Sequence, residues 1–224
     1  MTISIAARCE RTGAFGVAIS SSSPAVGSRC PNVRAGVGAV SSQNVTDPSL
    51  GPALLDALQS GLGAHDALAK VSSAATHPEF RQLTVVDNTG ESAVYSGAKS
   101  LGINAEVTAK NVAAAGNMLA NADVIQAMVD AFTESAENEL ADRLIQALEA
   151  GVEAGGEAGP VHSAAVIVAT EVSWPTTNLR VDWDANPISK LREIYQVWAP
   201  QSQDYLTRAL NPNSAPSYGV PGDK

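Results

Sequence analysis

The sequence predicts an α+β protein in which two antiparallel sheets carry helices on their outer sides. Two observations lead there. Segments with the period-2 alternation of strands come in runs, and segments with helical periodicity fall between those runs, so the order is strands, two helices, strands, two helices, strands, one helix. The strict strand–helix alternation that builds a parallel sheet is missing. A chain of 224 residues is long enough for one well-packed domain, expected over residues 1–198, with a proline-bearing tail over 199–224.

The first strand opens the chain: Thr2, Ser4 and Ala6 alternate with Ile3, Ile5 and Ala7. A turn at residues 10–13 leads to a β-prone run at 16–20, which makes a hairpin. Small residues follow from Ser20 to Gly27, and after Pro31 a third strand of small side chains is expected over 36–43. Its glycines, Gly36 and Gly38, mark a bend or a close backbone approach, expected beside the first strand. They are not a dinucleotide fingerprint, because Ser41 stands where the third glycine would be.

Ser49 as N-cap and Pro52 in the first turn start a helix carrying Leu54, Leu55 and Leu58, which stops at Gly61. A second helix runs from about Ala64 to Ala75 with Ala64, Ala67, Leu68 and Val71 on one face. Residues 83–87 and 92–96 form a hairpin around Asn88 to Gly90. Residues 106–115 read as one strand ending in Gly116-Asn-Met-Leu119. The clearest helix pair is 123–132 and 138–150, with Val124, Met128, Phe132 and Leu140, Leu144, Leu148 at i, i+4 and Gly151 as the stop. Residues 162–169 are a buried type of strand and 178–183 an alternating one. Asn186 and Pro187 then open a helix to about Trp198. Beyond it, four prolines and little periodicity read as a tail.

With 14 Lys+Arg against 23 Asp+Glu the net charge is −9, so phosphate backbones and anionic membrane surfaces are repelled and neither nucleic acid nor membrane is an expected partner. Arg8, Glu10 and Arg11 interrupt the N-terminus before any signal-peptide core forms, which predicts a soluble, cytoplasmic protein. Cys9 and Cys30 do not make a disulfide framework and sit in no metal-ligand spacing. No His or carboxylate cluster suggests a metal, and no cofactor is expected.

The candidate chemistry lies at the second residue. If Met1 is trimmed, Thr2 carries a hydroxyl and a free α-amine, whose reference pKa of roughly 7.7–8 leaves a good fraction neutral near pH 7. One residue then supplies nucleophile and base. The ordinary alternative is a β-branched residue opening an ordinary strand.

Several words of the sequence resemble one family: the N-terminal Thr-x-Ser-Ile-x-Ala, Ala25-Val-Gly27, Gly36-Val-Gly-Ala-Val40 with Gln43, Asp47-Pro48 with Gly51-Pro52, Gly116-Asn-Met-Leu119, Ala154-Gly-Gly156, His162-Ser-Ala-Ala165 and Leu179-Arg-Val-Asp182. Over about residues 2–194 they are similar to the domain of unknown function 1028 family, placed in the Ntn-hydrolase superfamily. The resemblance implies a four-layer αββα sandwich and an amide-bond hydrolase with an N-terminal nucleophile. It names no substrate. The chain departs from the family pattern at 157–162, so a substrate contact made there is expected to differ.

On this reading Thr2 is the nucleophile, and Asn117 is the candidate oxyanion donor with Gln43 as rival. Ser20, Ser21 and Ser42, at strand ends, are candidate proton relays, against the ordinary reading that they satisfy local backbone. Asp87, His162 and Ser163 are candidate substrate contacts. His162 and Ser163 are not a dyad, because adjacent strand residues point to opposite faces. Asp182 is expected to pair with Arg180, and Cys30, beside Arg29, is the runner-up nucleophile. The expected function is hydrolysis of an amide or cyclic amide in a small intracellular molecule. The alternative is a non-catalytic small-ligand-binding protein on the same fold that keeps Met1. Tyr205, Leu206, Leu210 and Tyr218 make the tail more apolar than a solvated segment needs. It is expected to dock on its own or a partner subunit, giving a homodimer or higher homo-oligomer.

Overall fold

The computed structural model describes residues 1–221. Strands β1 (Thr2–Arg8), β2 (Phe15–Ser21), β3 (Pro31–Arg34) and β4 (Gly38–Asn44) precede helices α1 (Leu50–Gln59) and α2 (Ala64–Ala74). Strands β5 (Arg81–Asp87), β6 (Ser92–Ser96), β7 (Ala105–Ala109) and β8 (Val112–Asn117) precede α3 (Asp123–Glu134) and α4 (Leu140–Glu153). Last come β9 (Ser163–Ala169), β10 (Thr177–Val181), α5 (Pro187–Trp198) and α6 (Ser202–Leu210). All pairings within the sheets are antiparallel. One sheet runs β10-β9-β2-β1-β8-β7 and the other β3-β4-β5-β6.

The alternation in β1 decides what each face touches. Ile3, Ile5 and Ala7 share a core cluster with Val124, Ile125 and Met128 of α3 and Leu144 and Leu148 of α4. Ala6, on the opposite face, clusters with Val17 and Ala113 of its own sheet and with Ala39 and Val86 of the other. In that second sheet Val40, Leu83 and Val85 turn the other way, toward Leu54 and Leu58 of α1 and Leu68 and Val71 of α2. Each sheet therefore has one helix-facing side and one side meeting the other sheet.

Glycines set the close approaches. A Cβ on Gly16 would lie 2.6 Å from Leu144 Cδ1, and one on Gly38 would lie 2.6 Å from Leu58 Cδ1 and from the Val86 carbonyl oxygen. The expectation of a close approach at Gly38 is met by α1 and β5. The hydrogen-bonded neighbours of β1 are β2 and β8, so the third predicted strand lies in the other sheet.

Four differences from the sequence reading are local. The stretch 106–115 is a hairpin, β7–β8, turned at Lys110 and Asn111, where Asn111 takes φ 65°. The short strand β3 precedes β4 and pairs Pro31 with Ser41. The segment after Trp198 contains α6, whose Tyr205 stacks on Trp198 with ring centroids 5.1 Å apart. Residues 222–224 of the predicted tail lie outside the described residues. At α1 the Ser49 hydroxyl donates to Asp47 instead of capping the helix. Among the described residues no helix is long and apolar enough to cross a membrane.

Candidate functional site

Register assembles the site. Thr2 stands opposite Ser21 on β2 and Asn117 on β8, and residues directly opposite in antiparallel strands share a face. Thr2 is four residues from Ala6, so all three look toward the second sheet. All are buried: Thr2 is 6 % exposed, Ser21 1 % and Asn117 1 %.

The carbonyl oxygen of Met1 is gripped twice. Thr2 Oγ1 donates to it at 2.6 Å and Ser21 Oγ at 2.5 Å, the two hydroxyls lying 3.3 Å apart. Behind Ser21, Ser23 Oγ is 2.9 Å away, and Arg29 Nη2 reaches Ser23 Oγ at 2.6 Å. A hydroxyl has one proton, so the direction follows: the guanidinium donates to Ser23, Ser23 to Ser21, and Ser21 to the carbonyl. Chained donors of this kind polarise one another, and here the polarisation ends on a carbonyl oxygen.

A buried acid adjoins these groups. Gly155 and Gly156 reverse the chain after α4 with φ of 123° and 63°, which side-chain-bearing residues rarely adopt, and the reversal pairs Glu157 with Leu119 in an isolated bridge. The Glu157 carboxyl is 7 % exposed; Oε2 accepts the Ser22 N–H at 3.3 Å and Oε1 has no partner. Burial pushes the carboxyl up to about 8, offset in part by the amino-terminal cation and the Ser22 N–H.

Gln43 does not sit as an oxyanion donor requires, and Asn117 spends one of its two amide protons between the sheets. Asn117 Nδ2 donates to Gln82 Oε1 at 3.1 Å, which uses one of its two protons, and the buried Oδ1 has no partner. Gln43 Nε2 donates to Gln82 Oε1 at 2.8 Å and to the Ala115 carbonyl at 3.1 Å, which uses both of its protons. Gln82 Nε2 in turn donates to Gly116 O and Ser96 Oγ. These amides tie β4 and β5 to β8 across the space between the sheets.

Other candidates lie elsewhere. Ser20 is opposite Ile3 on the helix-facing side, donating to Ser163 O at 3.0 Å, so Ser21 and not Ser20 meets Thr2. Ser42 pairs with Leu83 on the α1 side and donates to Asp47 O, which takes it out of reach as a relay. Asp87 accepts Thr89 and Glu91 N–H groups and the Ala64 N–H at 3.0 Å, closing the β5–β6 turn and holding the start of α2 rather than facing a substrate. His162 borders the site through its N–H to Ser21 O at 2.8 Å, and its ring stacks on Trp183 at 4.3 Å. Ser163 Oγ donates to Ser23 O at 2.6 Å and accepts the Val26 N–H, fixing the loop that carries Ser23. Arg180 pairs with Asp182 as expected. Cys30 is buried, which pushes its thiol up, and Arg29 turns away to Ser23, Pro24 and Ala25, so this thiol is not an activated nucleophile. Among the described residues no group of three or more His, Cys, Asp or Glu is placed to hold a metal.

Sequence reasoning named Ser21 among the relays but missed Glu157 and gave Ser23 and Arg29 no part in the site. Hairpin register selects Ser21 over its neighbour, and an acid directly after Gly155-Gly156 was the only local sign of Glu157.

A family model described as a family of unknown function, DUF1028, matches residues 2–191. The chain belongs to that family. The match begins at Thr2 and ends inside α5, which leaves α6 beyond it. This DUF1028 chain is also similar to the crystal structure of protein SPO2555 from Silicibacter pomeroyi, matched to the same family model: 32 % identity, a TM-score of 0.82, and coverage of 88 % of this chain and 89 % of that one. Anbu, an ancestral beta-subunit, from Yersinia bercovieri aligns over 92 % of this chain and 97 % of its own at 11 % identity and a TM-score of 0.39. A mutant Anbu from Hyphomicrobium sp. strain MC1 aligns over 98 % and 100 % at 10 % identity and 0.43. At those scores the Anbu likeness carries no functional argument. No curated protein matches the chain.

Proposed function

We propose that this DUF1028 protein is an amide-bond hydrolase acting on a small molecule, with Thr2 as nucleophile once Met1 is removed. The observation that carries the reading is the double grip on the Met1 carbonyl by Thr2 Oγ1 and Ser21 Oγ, which puts the proposed nucleophile within hydrogen-bond distance of an amide carbonyl whose oxygen already has a second donor. Helices on the outer face of each sheet support the four-layer αββα arrangement that the family resemblance implied.

In this mechanism the Thr2 α-amine takes the hydroxyl proton as Oγ1 attacks the carbonyl carbon, then returns it to the departing nitrogen. Ser21, at the end of the Arg29–Ser23 chain, steadies the oxyanion. The free Oδ1 of Asn117 accepts from the protonated amine. A water then hydrolyses the ester.

Intact mass and kinetics on one preparation test this. Chains beginning at Thr2 are expected to turn over amides and chains retaining Met1 are not. Thr2→Ala is expected to lower kcat by about 10³-fold or more while the fold persists, and Thr2→Ser to keep measurable activity. Activity should rise with pH as the amine loses its proton. Full turnover from a protein with an uncleaved N-terminal tag would remove the mechanism. The competing reading, a ligand-binding protein, has one observation in its favour: Met1 occupies both hydroxyls of the site. It predicts uniform retention of Met1.

A further inference from the structure

We infer that the substrates are α-aminoacyl amides, compounds with a free amine on the carbon next to the scissile carbonyl, and that Met1 lies where their acyl part binds. The inference rests on the hydrolase reading and adds the chemistry of the substrate. Three parts of Met1 meet three separate features. Its carbonyl oxygen takes the Thr2 and Ser21 hydroxyls. Its side chain lies over Gly159, where a Cβ would be 3.0 Å from the Met1 Cε and 3.6 Å from Sδ and would meet nothing else within 4 Å. Its amine lies within electrostatic range of Glu157, whose Oε2 accepts the N–H of Ser22, the residue after Ser21, at 3.3 Å.

Glu157 is the feature that needs a ligand. Glu157 is 7 % exposed, with one carboxyl oxygen unpartnered and no ion pair among the described residues; burial keeps its proton on, and an ammonium brought to Oε1 would favour the carboxylate over the acid. Met1 is held short of that by its bond to the Thr2 nitrogen. A free aminoacyl group, attached to no nitrogen of the chain, can move its ammonium onto Oε1 while its carbonyl keeps the Ser21 hydroxyl. Gly159 leaves room for a side chain of methionine length, so the site selects the amine by charge and admits the side chain by space.

Binding and turnover separate this from the hydrolase reading. In Met1-free Thr2→Ala protein, which keeps the amine but does not turn over, L-methionine amide is expected to bind at least about tenfold tighter than N-acetyl-L-methionine amide, a margin set by one hydrogen bond to a charged group. Glu157→Gln, checked for an unchanged fold by circular dichroism, should erase that margin. Gly159→Ala should weaken methionine amide more than glycinamide. Equal or tighter binding of the acetylated compound, a margin that survives Glu157→Gln, or no binding of either amide would overturn the inference. With Thr2 restored, Thr2-dependent hydrolysis of acetylated amides alone would sink the aminoacyl class and leave the hydrolase standing. Selective binding of methionine amide without any turnover would do the reverse.

Discussion

A single buried acid gives the molecule a pH signature that can be read without a substrate. Glu157 holds its proton in the folded chain up to about 8, because burial outweighs the nearby amino-terminal cation, against an ordinary value of 4.5 when unfolded. Between those values the folded state binds the extra proton. Stability is then lost as pH rises through the window, by at most about 1.4 kcal/mol per pH unit for one group. Glu157→Gln cannot titrate, so its melting temperature should fall less between pH 5 and 8 than that of the parent; parallel curves would place the charge in water and contradict the burial. Little of this was legible from residue types. Thr2 was, since a hydroxyl next to a potential amine is visible in any sequence. Its partners depend on strand parity, in which a one-residue difference moves a side chain to the other face, as the contrast between Ser20 and Ser21 illustrates. Glu157 depends on a contact between residues far apart in the chain.

At the scale of elements, the amides between the sheets make the sharpest prediction. Gln82 Oε1 is the common acceptor for Gln43 Nε2 and Asn117 Nδ2, and Gln82 and Gln43 are wholly buried. Gln82→Ala removes that acceptor and strands two buried donors, each costing about 1–3 kcal/mol, so urea denaturation should report a loss of roughly 2–6 kcal/mol. A loss under about 0.5 kcal/mol, the size of an ordinary surface change, would mean the amides are not coupled. The elements themselves were largely readable, because long amphipathic segments such as α3, α4 and α5 carry their period in the sequence. The β7–β8 hairpin was not. Its two-residue turn uses Lys110 and Asn111, without the Asn-Gly or Asp-Gly pair that marks such turns, and Val112 through Ala115 is apolar throughout, with no alternation to announce a second strand. Helix α6 was hidden differently: it is nine residues long and flanked by Pro200 and Pro212, so the segment read as a tail although Tyr205, Leu206, Ala209 and Leu210 stand at helical spacing.

For the whole molecule, the open question is what the C-terminal segment does for a sheet that ends at β10. Arg208 lies over the Tyr205 and Tyr218 rings at 5.2 and 4.0 Å and holds the segment together, while the stack of Tyr205 on Trp198 at the end of α5 fastens it to the domain. That one crossing stack contributes about 0.5–1.5 kcal/mol beyond area burial. Removing residues 199–224 should therefore lower the melting temperature by roughly 2–6 °C in a domain of this size. The stack does not cover everything: Val197, Leu210 and Tyr218 are each more than half exposed. We propose that a second copy covers them, as expected for a segment more apolar than solvation requires. A two-fold arrangement satisfies this with one patch used twice. Light scattering on the full chain should then give a mass near twice that of one subunit, and the truncated chain should run as a monomer. An unchanged mass after truncation would leave the segment as a fastening within one subunit, and an unchanged melting temperature as well would remove that role too.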